Sequence, residues 1–78
     1  MREGPLMLLL FRSTREVISA EEILRAAHIA CRIIPVPRII SSECGMAIEI
    51  DAYDGEAVMS LLQHINPKRY DNEHTTEI

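Results

Sequence analysis

The sequence predicts a small two-layer α+β domain with the element order β-α-β-β-α. Three observations lead there. The runs Leu6–Phe11, Cys31–Val36 and Met46–Ile50 are of strand length, the first apolar throughout and the others apolar but for Arg32 and Glu49. Two other stretches, after Ser13 and after Asp51 to Asp54, carry apolar residues at helical spacing. The whole chain has 78 residues, which is room for one hydrophobic core and no second domain.

Leu6 to Phe11 stops at Arg12 and is too short for a buried helix, so it reads as a buried strand. Ser13-Thr14-Arg15-Glu16 has the spacing of a capping box, in which Ser13 accepts from a free helical N–H and Glu16 reaches back to Ser13. The helix that follows places Val17, Ala20, Leu24 and Ala27 on one face with Ile23 beside them, and ends near His28. Cys31-Arg32-Ile33-Ile34-Pro35-Val36 is a second strand; Pro35 has no N–H for a ladder, which assigns this strand to an edge. A loop from Pro37 to Gly45 leads into the third strand. Asp51 and Asp54 are alternative N-caps for a second helix with apolar positions Ala57, Val58, Leu61, Leu62 and Ile65, stopped by Asn66-Pro67.

The expected sheet has the order 1-3-2, a ferredoxin-like arrangement lacking its last strand, with both helices on one face. Residues 1–66 form the domain and residues 67–78 a polar C-terminal tail. Leu6 to Phe11 is apolar on both faces and, with no fourth strand, keeps an open edge, so a homodimer or partner surface through residues 6–11 is expected beside cover by the tail.

Eight Lys and Arg against twelve Asp and Glu give a net charge of −4, and only Phe11, Tyr53 and Tyr70 are aromatic. This argues against a nucleic-acid binder, which combines a basic surplus with stacking side chains. No apolar run approaches the ~20 residues of a membrane span, and Arg12 follows the first run where a signal peptide would continue. A cytoplasmic location is expected. Two cysteines make no disulfide framework, and neither CxxC nor a Cys/His cluster at zinc spacing is present, so no cofactor and no metal is expected. Bridging Cys31 to Cys44 would need Cα atoms within ~7 Å.

Cys44 is the main candidate for chemistry. It lies in the loop Pro37-Arg38-Ile39-Ile40-Ser41-Ser42-Glu43-Cys44-Gly45, outside any apolar stripe. Gly45 allows a positive φ and close approach, Ser41 and Ser42 offer hydroxyl donors, and consecutive loop N–H groups can form an anion-binding nest. Arg38 adds a permanent positive charge that favours an anionic sulfur, while Glu43 acts the other way. Most lone cysteines are small buried hydrophobes, so the residues alone leave a packing role open beside the functional one. His28, His64 and His74 share no metal spacing, and Met7, Met46 and Met59 read as core filler.

The string Pro37-Arg38-x-Ile40-Ser41-Ser42-x-Cys44-Gly45 resembles a small bacterial family described as Se/S carrier protein-like. Phe11-x-Ser13-Thr14, Glu22, Leu24, Ile33-x-Pro35-x-Pro37-Arg38 and Met46-Ala47-Ile48 extend the resemblance from about Leu6 to Ile65. Two positions depart from it: His28 stands where Gly is usual, and Cys31 where a bulky apolar residue is common. The resemblance implies a carrier of sulfur or selenium, held on Cys44 as a persulfide-type adduct and passed between donor and acceptor proteins. The reading from another class is a non-catalytic interaction or small-anion-binding module built on residues 37–45. A stand-alone enzyme ranks last, because no nucleophile and base pair is evident.

Overall fold

The computed structural model describes residues 5–36 and 44–71. Its elements, in chain order, are β1 (Leu6–Leu10), α1 (Thr14–Ala26), β2 (Cys31–Pro35), β3 (Met46–Asp51), a 3-10 turn at Ala52–Asp54, α2 (Gly55–Leu61) and β4 (Lys68–Asp71). The four strands form one antiparallel sheet in the order β2-β3-β1-β4. Both helices pack on the same core cluster, so the architecture has two layers.

The expected three-stranded order 1-3-2, lacking a last strand, is therefore corrected to a four-stranded 2-3-1-4. Lys68–Asp71, read from the sequence as the start of a polar tail, pairs with β1 from Met7↔Asp71 to Leu10↔Lys68. The physical reason is the edge of β1: its backbone N–H and C=O groups need partners, and β4 supplies them. The open edge that motivated a homodimer through residues 6–11 does not exist. β2 does lie at an edge, where Pro35 opposite Met46 costs the sheet no interior hydrogen bond.

Alternation along the strands sorts the residues by face. Leu9, Ile48 and Ile50 meet Val17, Ala20 and Leu24 of α1 and Val58 and Leu62 of α2, all almost fully buried. Phe11 and Ile65 close this cluster. Leu8, Leu10 and Ala47 point to the other face and are also buried, which explains why the first run is apolar throughout. On that face Arg32, Glu49, Leu8 and Tyr70 form one row across the sheet, and Arg32 donates to Glu49 Oε1 at 3.0 Å.

α1 begins as expected, with Glu16 N–H donating to Ser13 Oγ at 3.3 Å. The return bond differs: Glu16 Oε1 accepts from the N–H of Arg12, at 3.0 Å, and not from Ser13. α1 ends in a Schellman motif. His28 N–H donates to Arg25 O and Ile29 N–H to Leu24 O, both at 3.0 Å, with His28 at φ 62°. α2 is shorter than its apolar pattern suggests. Its buried positions are Gly55 and Val58, followed by Leu62 and Ile65 in the turns beyond it; Leu61 is exposed, and no side chain caps its start. Asn66, at φ 55°, donates its N–H to Leu62 O and ends the segment before Pro67. No helix among the described residues is long and apolar enough to cross a membrane.

Candidate functional site

The β2–β3 hairpin positions Cys44. Its last backbone bond runs from Val36 N–H to Gly45 O at 3.0 Å, so Cys44 is the residue just outside the ladder. Gly45 takes φ +78°, a conformation costly for a residue with a Cβ, and this turns the chain from Cys44 into β3. Among the described residues, its chain neighbours aside, no heavy atom lies within 4 Å of where a Cβ on Gly45 would sit, so backbone conformation is the reason for glycine there.

The sulfur of Cys44 is tied to the first residue of the strand. Met46 N–H donates to Sγ at 3.4 Å, and the thiol reaches Met46 O at 3.2 Å. Cys44 is half-buried, with one side packed on the core cluster. Its sulfur is thus held by main-chain groups of the first residue of β3, in a side chain that is only half-buried. Gly45 beside it is exposed. Arg38, Ser41 and Ser42, the other candidate residues, lie outside the described residues.

Cys31 is placed differently. It opens β2, pairs with Ile50 and packs half-buried against the helix-facing cluster. Ile50 and Cys44 are six positions apart along β3 and its lead-in, about 20 Å at ~3.3 Å per residue. That separation exceeds the reach of a disulfide. Cys31 is excluded as a resolving thiol for Cys44 within one chain.

Residues that sequence reasoning passed over also converge on the Cys44 end. Arg12, at the exit of β1, forms an ion pair with Glu16 and donates from Nη2 to Ile65 O at 3.0 Å. It joins the start of α1 to the end of the α2 segment. The signal in the sequence was the Arg12/Glu16 spacing of four, which reads equally as an ordinary surface pair. His28 and His64 are both exposed, at the ends of the two helical segments, and among the described residues no three His, Cys, Asp or Glu side chains gather as metal ligands.

No curated protein and no solved structure matches the chain. The family model described as "Putative Se/S carrier protein-like" matches residues 6–70, which takes in β1, β2, β3 and both helices. The match includes most of β4, so that strand belongs to the family's own domain. The chain is a member of the Se/S carrier protein-like family.

Proposed function

We propose that this domain carries a sulfur or selenium atom on Cys44 and hands it to a partner protein. The observation that carries the reading is the place of Cys44: immediately outside the β2–β3 ladder, half-buried, with Sγ held by the main chain of Met46. The family match supports the cargo. In the loading step the Cys44 thiolate attacks the outer chalcogen of a donor's persulfide or selenosulfide. The donor's chalcogen–sulfur bond breaks, its own thiolate leaves, and a new bond to Cys44 Sγ forms, with no net oxidation. The reverse step, by an acceptor thiolate, unloads it. Met46 N–H is placed to donate to a chalcogen-bearing or anionic sulfur alike.

Arg38, Ser41, Ser42 and Gly45 complete the proposed site: Arg38 supplies positive charge, the serines supply donors, and Gly45 supplies the turn. The protein acts as a co-substrate, with donor and acceptor proteins as partners. The test is mass spectrometry of the intact chain after incubation with a cysteine desulfurase and cysteine, or with a selenium donor of the same bond type. A mass gain of one sulfur or selenium on Cys44, reversed by reductant, is expected. No gain, with the donor shown to be active on another thiol, overturns the reading.

One observation favours the alternative, an interaction or small-anion-binding module on residues 37–45: Cys44 also packs against the core cluster. If Cys44→Ser unfolds the domain and the parent takes up no chalcogen, the sulfur is structural and this module reading replaces the carrier.

A further inference from the structure

The strand register separates the charges of the domain along the strand axis. At one end lie Cys44 and Gly45, the exit of β1 at Arg12, the first turn of α1 with Arg15, and Lys68, which pairs with Leu10. The β1–β3 ladder ends at Leu10↔Ala47, so Arg12 and Cys44 both lie just beyond this end of it. At the other end, about four strand residues or ~13 Å further, lie Asp51, Asp54, Glu56 and Asp71, with Arg25 of the last turn of α1 paired to Glu21. Among the described residues the Cys44 end therefore carries three cations against one carboxylate, Glu16, which Arg12 engages. Arg12, Arg15 and Lys68 are all exposed. In a chain of net charge −4 this is a reversal of the overall sign, confined to the end that bears the thiol.

We propose that this end is a docking surface for an acidic surface of the partner protein, with Arg12, Arg15 and Lys68 steering the partner onto Cys44. The proposal rests on the carrier reading for the identity of the cargo, and names the kind of partner. A surface of one sign raises encounter rates with the opposite sign and repels its own. The domain's acidic remainder then disfavours approach of the same partner from any other direction.

The test uses three short peptides, each with one cysteine activated as a mixed disulfide with thionitrobenzoate. One is rich in Glu, one has Gln at those positions, and one has Lys. The Cys44 thiolate attacks the peptide sulfur, the bond to thionitrobenzoate breaks, and the released chromophore gives the rate; peptide mapping assigns the modified cysteine. At low salt the order Glu, then Gln, then Lys is expected, with the Glu peptide roughly three- to tenfold faster than the Lys peptide. The difference should shrink at high salt. It should also shrink in the double variant Arg15→Gln, Lys68→Gln, which leaves Arg12 to hold Ile65. Equal rates for the three peptides overturn the proposal, as does a preference that neither salt nor the double variant reduces. If the double variant fails to fold, the salt series on the parent decides. A chain that prefers the acidic peptide but takes up no chalcogen keeps the docking surface and loses the carrier; one that loads chalcogen without preference does the reverse.

Discussion

The two ends of the sheet hold one cysteine each, and their backbones differ in kind. Cys31 sits inside a ladder, opposite Ile50, just after a helix that ends on a left-handed histidine. Cys44 sits outside a ladder, just before a left-handed glycine. The turn before Cys31 puts a histidine in the left-handed region, whereas the turn beside Cys44 uses the one residue that adopts the required φ freely.

The largest expected effect breaks the comparison at the sulfur itself. Cys44→Ser should abolish the chalcogen adduct completely, while Cys31→Ser should leave it in place, read by intact mass. Both variants should fold, the Cys44→Ser chain within about 1 kcal/mol of the parent by denaturant unfolding, since the site is only half-buried. Arg38→Ala should slow alkylation of Cys44 by iodoacetamide and leave Cys31 unaffected.

Backbone substitutions sharpen the contrast with smaller effects. Gly45→Ala should cost about 1–2 kcal/mol, because a residue with a Cβ is forced to φ +78°. It should also slow Cys44 reactivity, since the turn aims the sulfur. At the other end, His28→Gly should stabilise the chain by roughly 0.5–1 kcal/mol, relieving a non-glycine residue at φ 62° in a Schellman cap. Asn66→Gly should change stability by less than about 0.5 kcal/mol, because asparagine tolerates the left-handed region. Thermal melts of the three variants give the order, and a stabilising Gly45→Ala would contradict the assignment of strain.

Much of this was legible in the residues. Pro35 placed β2 at an edge, Ser13 marked the start of α1, and Gly45 and Asn66-Pro67 marked turns, because each signal rests on local backbone chemistry. β4 was not legible. Lys68-Arg69-Tyr70-Asp71 has no apolar alternation, and it becomes a strand through the unsatisfied edge of β1, a demand set by tertiary structure. The apolar face of α2 was drawn too wide for a related reason: Ala57 and Leu61 have helical spacing but are exposed. For the candidate site, Cys44 and Gly45 stood out, but the tie from Sγ to Met46 and the bridge from Arg12 to Ile65 depend on how chain segments meet.

The Arg32–Glu49 pair has a consequence for how the hairpin finds its alignment. The Glu49 side chain is 9% exposed and that of Arg32 68% exposed, so the pair joins a buried carboxylate to a cation at the rim. β2 is an edge strand of five residues, the kind most prone to slipping against its neighbour. A slip by one position would set Cys31 or Ile33 opposite Glu49 and remove the guanidinium from a largely desolvated acid. Moving the guanidinium away from a carboxylate this buried costs more than an exposed pair contributes when intact. The pair thus acts less as a source of stability than as a proofreader of strand pairing. By holding β2 and β3 in one alignment it fixes where the connecting loop closes, and with it the position from which Cys44 presents its sulfur.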